Sequence, residues 1–160
     1  MIKTLITLAL ALAAAPAAVA APLLWGKVEI DMPFESARAA YPDAEVSTGK
    51  GLFRPMLSFD QVVDDCQVSV MITIDRKVAE PGAKVDFVQL SGEKCDAKMF
   101  TQLLAKYGEP LTLNNDNRDK KKTARWNADG RSIVYKREAG EGFSPDRWEI
   151  TYAAVKELGL

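Results

Sequence analysis

The residues of this chain whose types could do chemistry are an adjacent carboxylate pair, two cysteines and one dense run of cations. Asp64 and Asp65 stand side by side. Two carboxylates share general acid and base work only when both converge on one reacting atom. Neighbours in a turn point apart and stay solvated, so the pair is expected to be a turn feature. The run "NNDNRD" places Asn115, Asn117 and Asp119 at alternating positions, like the start of a calcium loop. It lacks the turn glycine and the distal bidentate glutamate, and Lys120, Lys121 and Lys122 follow directly, so a polar hairpin loop is expected.

The chain contains no histidine. That removes Ser-His and Cys-His nucleophile pairs, histidine general bases and histidine metal sites. Neither a glycine-rich phosphate loop nor a nucleophile elbow is present; Gly49 and Gly51 in "TGKG" are too few to cradle a phosphate. The sequence therefore predicts no catalytic residue, no metal and no cofactor, and a protein that is not an enzyme. Its formal net charge of −1 argues against nucleic acid, whose binders carry a basic excess.

Arg118, Lys120, Lys121, Lys122 and Arg125 form the only dense charge cluster. Two readings stand. Lysines guard a strand edge against pairing with other chains, or they contact an acidic partner or anionic surface.

The first twenty residues fit a leader peptide rather than the fold. Lys3 is a short positive start, Thr4 to Ala15 an apolar run, and Ala18-Val19-Ala20 a small-x-small cleavage site. Removal of 1–20 leaves one mature domain, 21–160, large enough for a proper core. Ala21 stands where a lipoprotein would carry cysteine, so neither a lipid anchor nor a transmembrane segment is expected. A periplasmic or secreted location follows. In that setting the even pair Cys66 and Cys95 is expected to form a disulfide; a redox pair would call for C-x-x-C spacing.

Stepping along the mature chain, "LLWGKVEI" reads as an opening strand. Asp31 is placed to cap a short helix with Pro33 in its first turn, and Phe34, Ala37 and Tyr41 share one face before Pro42 ends it. Three strand-like runs follow. The clearest is "CQVSVMITI", where Val68, Val70, Ile72 and Ile74 alternate with Gln67, Ser69, Met71 and Thr73. Asp96 then caps a second helix with Phe100, Leu103, Leu104 and Tyr107 on one stripe, stopped by Gly108 and Pro110. Four more strand-like runs close the chain: "LTLNN", "TARW", "RSIVYKR" after the "NADG" turn, and "RWEITYAAV". Phe34, Ala39 and Tyr41 match Phe100, Ala105 and Tyr107 at a period of about 66 residues, a sign of internal duplication. The expected fold is α+β: two tandem helix-plus-antiparallel-sheet units, about 23–90 and 91–160, sharing one core.

"WGKVEIDMPFESARAAYP" and "LLAKYGEP…ARWNADGRSIVY…WEITY" resemble small exported bacterial proteins of the outer-membrane-assembly lipoprotein (SmpA/OmlA) and β-lactamase-inhibitor-like group. That resemblance implies a helical piece packed on an antiparallel sheet, in tandem in the inhibitor type, and a role in envelope assembly or inhibition. The expected function is an exported, non-enzymatic binding module acting through contacts with another envelope or secreted protein. The alternative is a periplasmic small-molecule or lipid carrier. The expected partner surface comprises the basic cluster together with Gln67, Met71 and Glu149 on the sheet face turned away from the helices.

Overall fold

The computed structural model describes residues 23–47, 55–75, 82–116, 120–140 and 145–155. The expected leader 1–20, Arg118, Asn117 and Asp119 lie outside the described residues. "LLWGKVEI" is not one strand: Gly26, at φ +57°, folds it into a hairpin of β1 (Leu23–Trp25) and β2 (Val28–Glu29). Helix α1 (Phe34–Ala40) follows, then strands β3 (Glu45–Ser47), β4 (Met56–Val63), β5 (Cys66–Ile74) and β6 (Val85–Gly92). Helix α2 (Asp96–Tyr107) precedes β7 (Thr112–Asp116), β8 (Lys121–Ala128), β9 (Arg131–Glu138) and β10 (Arg147–Ala154).

The expected α+β pair of units is overturned. The fold is largely β: 57% of the described residues are strand and 17% helix. Strands β3 to β10 make one eight-stranded antiparallel sheet in the order β3-β4-β5-β6-β10-β9-β8-β7. The last strand of each half supplies the reason. β6 and β10 pair over six residues, from Trp148↔Gly92 to Ala153↔Phe87, so what reads as two small sheets is hydrogen-bonded into one. The helices are short and unequal, 7 and 12 residues, against strands of up to 9.

The register fixes two faces. Across one row Phe59, Val70, Leu90, Ile150, Tyr135 and Ala124 are successive partners. All but Phe59 are at most 1% exposed. Tyr41, at the end of α1, stacks on Phe59 with centroids 4.7 Å apart, and Phe100 of α2 meets Tyr135 at 5.0 Å. Both helices therefore cover this face. The neighbouring row, Ser58, Met71, Gln89, Thr151, Val134 and Arg125, points the other way.

Two indoles hold α2 in place. Trp148 donates from Nε1 to the Lys94 carbonyl before the helix, and Trp126 donates to the Gly108 carbonyl after it, at 2.9 Å. Gly92 makes room for the first: a Cβ there would sit 2.7 Å from the Trp148 ring. The expected helix caps are corrected. Pro33 precedes α1 while Asp31, at φ +62°, ion-pairs with Lys84 at 3.2 Å. Cys95, at φ +66°, precedes α2, and Asp96 sits in its first turn. The stop at Gly108 stands: its φ is +73° and its N–H reaches the Leu104 carbonyl at 2.8 Å. The predicted stripe faces the core with Leu103 buried and Phe100, Leu104 and Tyr107 partly buried, and Met99, outside the predicted set, is buried beside it.

Candidate functional site

Period two sends Gln67, Ser69 and Met71 of β5, with Glu149 and Thr151 of β10, to the face opposite the helices. Gln67, Ser69 and Glu149 are exposed there, and Met71 and Thr151 half-buried. The predicted site residues Gln67, Met71 and Glu149 thus share one surface, with β6 between the two strands that carry them. Antiparallel sheets tolerate a wet face because every second side chain can be polar without disturbing the ladder. Thr73 is the exception. It is 5% exposed and its hydroxyl has no hydrogen-bond partner among the described residues.

At one end of this face lies a cleft of about 630 Å³ lined by Asp65, Gln67, Ser69, Ser91, Arg147 and Glu149, among others. Its wall includes Cys95 and Trp148. The Cys66–Cys95 disulfide ties the start of β5 to the residue before α2, with Cα atoms 6.1 Å apart.

The basic cluster does not stay together. Lys121 and Arg125 lie on the open face, Lys121 3.4 Å from Glu138 and Arg125 beside Val134. Lys136, outside the predicted set, joins them through its pairing with Thr123 and Glu149. Lys122 goes to the helix face, since its partner is Arg137. Its ammonium sits 3.3 Å from the Phe100 ring centroid, and burial, with the Arg137 charge, pulls its pKa down. Lys120 occupies the turn before β8 at φ +49°. Strand alternation alone was enough to separate Lys121 from Lys122; starting the strand at "TARW" hid it.

Lys122 belongs to a cluster that fastens α2 to the sheet. Arg137 places Nη2 2.8 Å and Nε 2.9 Å from Asp146 and Asp96 respectively. The Gly140 N–H and Arg137 together hold the Asp146 carboxyl below its ordinary pKa. Burial, then the Asp96 charge, raises the Tyr135 phenol to about 12.

Asp64 and Asp65 are the two central residues of the β4–β5 hairpin, at φ +48° and +63°. Positive φ at both positions is the type I′ requirement, which Asp and Asn tolerate best after glycine. The Asp64 carboxylate accepts from Gln102 Nε2 at 2.6 Å, and Asp65 lies 3.7 Å from Lys98. The pair docks the turn on α2.

A second cleft, about 830 Å³, opens between the segment after α1 and the outer edge of β4, lined by Lys27, Tyr41, Asp43, Glu45, Phe59 and Asp60, among others. Both clefts are open and carry charged groups. No group of three or more potential metal ligands occurs among the described residues, and no described helix is long and apolar enough to cross a membrane. Comparison with protein-family models, curated proteins and solved structures returned no match.

Proposed function

We propose that this chain is an exported, non-enzymatic binding module whose open sheet face meets a protein partner. One observation carries the reading: the helix face of the sheet is filled by core side chains, whereas the other presents Gln67, Met71, Glu149 and Thr151 without a covering layer among the described residues. The Cys66–Cys95 disulfide is compatible with export. A role in envelope assembly or inhibition rests on the family resemblance alone, and no cofactor enters the reading.

The lipid-carrier alternative calls for an enclosed, mostly apolar pocket. The clefts instead carry Asp43, Glu45, Asp60, Glu149 and Arg147 on their walls, which favours the binding module. Charge on the open face is divided. Lys121, Arg125 and Lys136 stand toward the β7 side, Glu45 and Asp60 toward the β3 side. An acidic partner region is steered to the former, where rim charges act mainly on encounter rate.

The test is site-specific crosslinking in envelope extracts. A photoreactive residue at Met71 or Thr151 should capture one recurrent protein, and the same residue at Thr101, on α2, should not. Reversing Lys121, Arg125 and Lys136 to Glu should weaken that capture at low salt with little change in melting temperature. Equal capture from both faces would remove the assignment.

A further inference from the structure

Strand β4 is eight residues long, but β3 pairs with only three of them: Glu45↔Ser58, Val46↔Leu57 and Ser47↔Met56. From Phe59 to Val63 no strand among the described residues occupies its outer edge. Five extended residues make about 17 Å of edge, along which alternate residues turn their N–H and C=O groups outward. Folded proteins guard such edges with lysine, proline or a bulge. This stretch, Phe59-Asp60-Gln61-Val62-Val63, has no lysine, proline or bulge; its one charge is Asp60, and its register to β5 is regular through Val63↔Cys66. The other edge of the sheet, β7, is entered through Pro110 and presents Asn114, Asn115 and Asp116.

Beside the bare edge lies the cleft of about 830 Å³, where Tyr41–Ala44 leads from α1 into β3. Its aromatic wall is the Tyr41–Phe59 stack, rigid because Tyr41 Oη also accepts from the Lys27 N–H at 2.9 Å. Asp43, Glu45 and Asp60 place three exposed carboxylates around it. Lys27 is the one cation among its lining residues, and its ammonium already lies 3.4 Å from the Ala40 carbonyl.

We propose that the Phe59–Val63 edge is a strand-addition site for an extended peptide segment of a partner, one that carries lysine or arginine between apolar residues. The backbone edge supplies affinity, and the side chains that alternate toward the cleft supply selectivity. The aromatic stack takes the apolar residue and the three carboxylates take the cation. Glu45 and Asp60 belong to the β3 end of the open face, but Met71 and Thr151 do not line the cleft, so either site can fail without the other.

The probe is an acetylated heptapeptide alternating lysine and valine, titrated into isotope-labelled mature chain (21–160) and followed by amide chemical shifts. Saturable shifts are expected at Phe59 to Val63 and Tyr41, with Met71 and Thr151 unmoved. A glutamate–valine peptide should bind about tenfold more weakly or worse, and added salt should narrow the gap. N-methylating alternate peptide amides on the pairing edge should abolish binding. The double variant Asp43→Lys, Glu45→Lys changes only exposed groups and should lose about tenfold in affinity for the lysine peptide. Four results would each overturn the proposal: no saturable shift at the edge, equal affinity for the two peptides, retention of binding after N-methylation, or self-association of the chain through this edge that excludes the peptide.

Discussion

The two faces of the sheet are built from the same strands, one residue out of phase, yet they do opposite jobs. Val70, Leu90 and Ile150 on the helix face are at most 1% exposed; Met71, Gln89 and Thr151, their immediate neighbours in sequence, face away from both helices. The difference teaches that alternation divides the residues into two sets, while the helices decide which set is dry. Aromatic contacts from Tyr41 and Phe100 go to one face only.

Raising pH stresses the dry face as a whole. Burial lifts Tyr135 from an ordinary value of 10.0 to about 12 and lifts Tyr152 further in the same direction. A folded-state pKa raised above the unfolded one gives stability that is complete below pH 10 and lost as pH climbs toward 12. The phenolate absorbance of these two tyrosines should therefore appear together with loss of the sheet's circular dichroism. Full ionisation in an intact sheet would show that the dry face admits water.

Single substitutions grade the comparison. Trp148→Ala should cost about 3–5 kcal/mol through the cavity it leaves and the lost hold on α2, whereas Glu149→Ala, next to it on the wet face, should stay within about 0.5 kcal/mol. Urea unfolding of both variants checks the contrast, and similar losses would mean the faces are not distinct. Replacing Cys66 and Cys95 together by Ser should cost about 3–4 kcal/mol, as expected for opening a loop of this length. Peptide mapping without reductant should recover the linked pair. Gly92→Ala pushes a methyl into the Trp148 ring and should cost about 1–3 kcal/mol.

One small effect carries the opposite sign. Thr73 points to the nominally wet face yet is buried, and its hydroxyl is unpaired among the described residues. Thr73→Val removes that group at nearly constant shape and should raise stability by about 1 kcal/mol. A loss instead of a gain would mean the hydroxyl is hydrated and that the face is wet there as well.

Much of this was legible in particular residues. The alternation in "CQVSVMITI" fixed β5 and both of its faces, because a side chain in a strand has only two directions to take. Gly108 and Pro110 fixed the end of α2 through positive φ and a missing donor. The cysteine count in a chain with a leader-like start pointed to the disulfide. Asp64-Asp65 was readable as a turn, but its docking on Gln102 and Lys98 was not, since those residues lie 34 to 38 positions away.

Local order of elements was set by the sequence itself: spacing, caps and turn residues act within a few bonds. Tertiary structure alone decided that β6 and β10 would pair and turn two expected units into a single largely β sheet. That pairing joins residues some 60 positions apart, and backbone hydrogen bonds carry no side-chain code to announce it. It also decided that Lys122 would lie over Phe100 while Lys121 faced Glu138. A residue's charge is written in the chain, but the surface on which it acts depends on where the helices come to rest.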